Sequence, residues 1–90
     1  MTRTQPALEG TMSDQVLLER ITSDPGVVGG RPRVRGTRLT VRYIIGLLAA
    51  GATIEEILAD HPRLSPEDIQ ACLRFAADAV EQIPVVATTA

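Results

Sequence analysis

Between Asp24 and Gly36 the chain carries two prolines and four glycines, and from Val41 onward it carries three helically spaced stretches, each with its own start and stop signals. That contrast constrains the fold most. Asp24-Pro25-Gly26, Gly29-Gly30, Pro32 and Gly36 mark turns and exclude a helix through this region. Between them "RPRVR" and "TRLTV" alternate polar and apolar, joined at Gly36. The alternation predicts two short strands or a ragged hairpin, with Val34, Leu39 and Val41 facing in and the arginines facing out.

Three helices are expected after it. The first spans about 41–50, capped by Thr40 and stopped by Gly51. Its stripe is Val41, Ile44, Ile45 and Leu48. The second spans about 54–61. Thr53 and Glu56 form a capping box, Ile54, Ile57 and Leu58 point inward, and Pro62 ends the element. The third spans about 66–82. Ser65 caps it, Pro66 takes the first helical position and acids fill the first turn. Ile69, Cys72, Leu73, Ala76 and Val80 are its expected buried stripe. Glu67, Gln70, Arg74, Asp78 and Glu81 are its expected exposed face. Ahead of the hairpin, Ser13 caps a short turn through "DQVLLER". The expected organisation is an N-terminal arm over 1–12, one domain over 13–83 and a tail over 84–90. The fold class is mainly α: a three-helix, helix-turn-helix domain with a short N-terminal β-hairpin.

Ninety residues make one small domain with a thin core, burying roughly 60–65% of the unfolded surface. Tyr43 and Phe75 are the only aromatics in it. A domain so light is expected to share a core in a homodimer. Cys72 is the only cysteine, so no internal disulfide forms, which fits a reducing cytoplasm. No run approaches the ~18 apolar residues of a membrane span, and no apolar signal core opens the sequence.

Charge is strongly segregated. The chain carries nine arginines, no lysine and a net charge of −2. Residues 31–42 hold Arg31, Arg33, Arg35, Arg38 and Arg42 and no acid, whereas residues 55–90 hold seven acids against Arg63 and Arg74. Such asymmetry speaks of surfaces and partners. Arginine's planar fork suits phosphate and guanine edges, and it suits carboxylates equally well. Both readings stand at this point: nucleic acid on one side, the chain's own or a partner's acids on the other. No aromatic interleaves these arginines, which weighs against a single-strand stacking platform.

The third helix, the reader in a DNA-binding helix-turn-helix, carries four acids against Arg74 alone. Phosphates repel such a face, so Gln70 and Arg74 are its only candidate base contacts. A catalytic reading has little footing. His61 sits before Pro62 at a helix end, where a cation suits the dipole, and has no companion at metal-ligand spacing. Glu55 and Glu56 are adjacent on their helix and do not share a face. Cys72 lies on an apolar stripe and reads as core. No enzyme activity, metal, cofactor or small-molecule substrate is expected. Tyr43 and Phe75, with Val85 and Val86 in a tail able to add a strand to a partner's sheet, are the candidate protein contacts.

Several pieces together resemble a prokaryotic family, domain of unknown function 433. They are Ile21, Asp24-Pro25, Gly29-Gly30-Arg31-Pro32, Arg35-Gly36-Thr37-Arg38, Gly51, Glu55-Glu56-Ile57-Leu58 and Pro62-Arg63-Leu64, covering about residues 20–78. The resemblance implies a homeodomain-like, dimeric fold. It also implies an antitoxin-like role: neutralising a PIN-like nuclease toxin encoded nearby and repressing the shared operon. The other reading is a homodimeric protein-interaction module without DNA binding.

Overall fold

Thr40 decides where the longest apolar run turns helical. Its hydroxyl accepts a hydrogen bond from Tyr43 N at 3.0 Å, and helix α2 runs from Val41–Ala49 behind it. The computed structural model describes residues 13–81; the 1–12 arm, the 84–90 tail and the tail's Val85 and Val86 lie outside the described residues. α2 ends in a Schellman closure: Ala52 N donates to Leu47 O and Gly51 N to Leu48 O, both at 3.0 Å, with Gly51 at φ +103°.

Among the described residues the chain is mainly helical. Four α-helices and one 3₁₀ turn (Val28–Gly30) accompany a two-stranded antiparallel sheet. Helix α1 (Asp14–Leu18) is capped by Ser13. Helix α3 (Ile54–Asp60) has the expected capping box, Glu56 N to Thr53 Oγ1 at 3.1 Å and Thr53 N to Glu56 Oε1 at 2.8 Å. Helix α4 (Pro66–Glu81) opens on a second reciprocal pair. Asp68 N donates to Ser65 Oγ at 3.2 Å, and Ser65 N donates to Asp68 Oδ2 at 3.0 Å.

The hairpin differs from its expectation. Strand β2 (Arg33–Val34) pairs with β1 (Ile21–Thr22), in the register Ile21↔Val34 and Thr22↔Arg33. "TRLTV" contributes a single bridge, Arg33↔Thr40. The reason is local. The Thr37 hydroxyl donates to Val34 O and accepts from Leu39 N, closing a turn, while Thr40 is committed to capping α2. Nothing is left to extend a second strand, so β2 takes its partner from the segment after α1.

The core unites every element except the 3₁₀ turn. Ile44, Ile57, Ile69, Val34 and Cys72 are its largest fully buried side chains, with Leu17, Ile21, Val41, Leu64 and Ala71 completing it. Leu39, Ile45, Leu47, Leu48, Leu58 and Phe75 pack against this group. Three residues expected inside are instead exposed: Ile54, Leu73 and Val80. Asp68 and Ala71 are buried in their place. Asp68 is drawn in by Ser65 N and by Arg20 at 3.1 Å, which sets the rotation of α4. α4 is also far longer than its neighbour. At about 1.5 Å per residue its sixteen residues reach about 24 Å against about 10 Å for the seven of α3, so its C-terminal turns extend past the core.

Candidate nucleic-acid interface

The five arginines of residues 31–42 have different fates. Arg33 is not outward-facing: its side chain is only 11% exposed. One guanidinium nitrogen donates to Asp24 Oδ2 and another to Thr37 O at 2.9 Å. Placing Arg33 in β2, with β1 on one side and the Thr40 bridge on the other, encloses it. Arg35 is exposed, with its Nε donating to Glu19 O at 2.9 Å. It lines a depression with Val16, Glu19, Arg20 and Asp68. Arg31, Arg38 and Arg42 are exposed, and their guanidinium groups make no hydrogen bond or ion pair with another described residue.

The chain's own acids therefore take few of these arginines. Of the seven acids in residues 55–81, Asp68 and Asp78 receive arginines, and those are Arg20 and Arg74. Arg74 is also 3.4 Å from Asp14. It lines a separate depression with Gln70, Asp14, Leu17, Leu73 and Ala77. The two expected base readers thus lie along the seam of α1 and α4, apart from the unpaired arginines, and Arg74 is committed to carboxylates.

The unpaired arginines border two depressions. Arg31, Thr40, Arg42, Tyr43, Gly46 and Leu47 line one. Arg38, Leu39, Asp60, His61 and Arg63 contribute to the other. Tyr43 and His61 join them. The Tyr43 hydroxyl is 3.5 Å from His61 Nε2, and the rings meet edge to face, 5.8 Å between centroids and 85° between planes. Arg63 reaches back to Gly36 O at 3.3 Å. One surface thus carries four arginines, a tyrosine and a histidine, with Asp60 the acid on its border.

Two features mark this surface as more than solvated charge. Arg42 stands in the first turn of α2, where no acid is present and the helix dipole disfavours a cation. Tyr43 is 45% exposed, whereas Phe75, the other aromatic, packs on the core. Sequence reasoning missed Arg63 and His61 as parts of this surface. Tyr43 lies 18 residues from His61, and Arg63 lies 27 from Gly36, so no local spacing reports either contact.

Cys72 is fully buried, and burial, reinforced by the Asp68 carboxylate, pushes its thiol up to about 12. It is a packing residue.

Fold and surface together define a small helical domain with one basic face and an acidic longest helix. The chain belongs to the DUF433 family, proteins of unknown function, whose profile matches residues 21–76. It is 40% identical over 58 residues to the uncharacterized protein y4eO of Sinorhizobium fredii. That match covers 64% of this chain and 26% of y4eO, so the chain spans about a quarter of that relative's length. The fold is similar to the crystal structure of a DUF433 member protein from Anabaena variabilis, with a TM-score of 0.68 and 37% identity. That similarity covers 76% of this chain and 67% of the other.

Proposed function

We propose that this chain is an antitoxin-like regulator that binds operator DNA through the basic face and neutralises a PIN-like nuclease. The observation that carries the DNA reading is the exposure of Arg31, Arg38 and Arg42 without a carboxylate partner among the described residues. Arginines with no internal task, at least one of them at the unfavourable end of a helix dipole, fit phosphates supplied from outside. The nuclease partner follows from the family resemblance. The surface offered to it is α4, where Leu73, Ala77 and Val80 recur on one exposed side, with Asp78 and Glu81 beside them. In this reading α2, α3 and α4 form the homeodomain-like tri-helical unit, used as a dimer. DNA meets the start of α2 and not the acidic α4.

The test is binding to the duplex upstream of the chain's own reading frame, measured across a salt series. Affinity is expected to fall steeply with salt. Converting Arg31, Arg38 and Arg42 to glutamine is expected to reduce the slope of log K against log salt by about 0.9 for each phosphate no longer neutralised. Salt-independent binding, or a slope unchanged in the triple variant, overturns the DNA assignment.

A homodimeric interaction module without DNA binding is the second reading, favoured by the exposed apolar side chains of α4. It expects Leu73→Gln with Val80→Gln to turn a dimer into a monomer in sedimentation equilibrium, with no duplex bound by either form.

A further inference from the structure

Tyr43 is the feature the phosphate reading leaves unexplained. The chain has two aromatic residues and a thin core, yet one of the two stands 45% exposed. Duplex phosphates need only the guanidinium groups. A tyrosine hydroxyl can donate to a phosphate oxygen, but the ring itself offers a flat apolar surface that phosphate does not use and another flat ring does.

We infer that the Tyr43–His61 pair, with Arg31 and Arg42 on one side and Arg38 and Arg63 on the other, is a binding site for an unpaired nucleotide of single-stranded DNA or RNA. The base stacks on the Tyr43 ring, and its flanking phosphates meet the arginines of the two depressions. The tyrosine packs against His61 edge to face, with 5.8 Å between centroids, and the residue stays 45% exposed beside that contact. The hydroxyl and the imidazole nitrogen, 3.5 Å apart, lie beside the seat and are available to the polar edge of a base. Residues 31–42 contain no aromatic, so this chemistry is absent from the linear segment. The fold supplies it by bringing the first turn of α2 against the end of α3.

The inference rests on the basic face binding phosphate. It is independent of any operator sequence and of any nuclease partner. It also has a private reporter: Tyr43 is the only tyrosine and the chain has no tryptophan, so intrinsic tyrosine emission reads this site alone.

The experiment titrates the full chain with four oligomers of about a dozen units, a scale matched to single-strand sites. They are oligodeoxyuridylate, oligouridylate, an abasic strand with the same phosphates, and a duplex. At least one base-bearing single strand is expected to bind about tenfold tighter than the abasic strand and to quench tyrosine emission. The tighter of the two assigns DNA or RNA. Tyr43→Ala is expected to lose about tenfold in affinity with the salt slope retained, and Tyr43→Phe to keep most of the binding. Circular dichroism checks that both variants are folded. Equal affinity for abasic and base-bearing strands, or unchanged emission on saturation, overturns the stacking site. If the duplex still binds with a steep salt slope in that case, the operator reading stands alone. If no polyanion binds, both readings fall.

Discussion

Asp68 accepts hydrogen bonds from Arg20 at 3.1 Å and from Ser65 N at 3.0 Å, and it is the one buried charged residue among those described. It caps α4 and anchors the segment ahead of β1. Asp68→Ala is expected to cost about 2 kcal/mol, read as a lower urea midpoint, because a cap and a half-buried charged hydrogen bond disappear together. The neighbouring Cys72 supplies a pH signature. Its thiol is raised from 9.0 to about 12 on folding, so the folded state holds this proton more tightly. The associated stability is fully present below 9.0 and is lost as pH rises through about 12. Cys72→Ala removes that dependence, as paired alkaline denaturation series would register. In the native protein at neutral pH the thiol is expected to resist iodoacetamide and to react once unfolded. The burial of Cys72 was legible from its place on an apolar stripe. The burial of Asp68 was not, since an acid in a helix's first turn normally faces water, and the arginine that draws it inward lies 48 residues away.

At the scale of elements, what was legible is what is encoded locally. Thr40, Thr53 and Ser65 start α2, α3 and α4 through contacts spanning three residues, so sequence spacing located all three helices. Gly51 stops α2 at φ +103°, and a β-carbon added there meets no atom within 4 Å. Gly51→Ala therefore carries a purely conformational cost of about 1–2 kcal/mol, with Gly51→Asn costing less, measurable by thermal melts. Val28 has the opposite problem, a β-branched residue at φ 41°. Replacing it by glycine is expected to stabilise the chain by up to about 1 kcal/mol in the same assay. The β1–β2 pairing escaped sequence reasoning because two-residue strands have no period to detect. Leu73 and Val80 were misassigned because periodicity gives the apolar face of α4 without saying how far the core extends beneath it.

At the scale of the whole molecule, the arginine side chains of the described residues divide by task. Arg20, Arg33 and Arg74 are tied to carboxylates, Arg35 and Arg63 to backbone carbonyls, and Arg31, Arg38 and Arg42 to no described residue. That division predicts opposite outcomes for the same substitution. Glutamine at positions 31, 38 and 42 together is expected to leave unfolding stability within about 0.5 kcal/mol of the parent. Arg33→Gln is expected to cost about 2 kcal/mol, because Asp24 and Thr37 O lose a largely enclosed partner. The basic segment was plain in the sequence, but which of its arginines remain available depends on β2 lying between β1 and Thr40.

The seam between α1 and α4 also has a kinetic consequence. α2, α3 and α4 follow one another through short turns, so their contacts close small loops. Asp14–Arg74 and Arg20–Asp68 join residues 60 and 48 apart, and α1 lies outside the 21–76 segment shared with the family. Docking α1 is thus the entropically expensive closure, expected after the folding barrier has been crossed. Arg20→Ala should then speed unfolding and leave the folding limb of a chevron plot almost unmoved, whereas Ile44→Ala should slow folding itself. The lifetime of the native state is set at this seam, and the speed of reaching it is set by the helices.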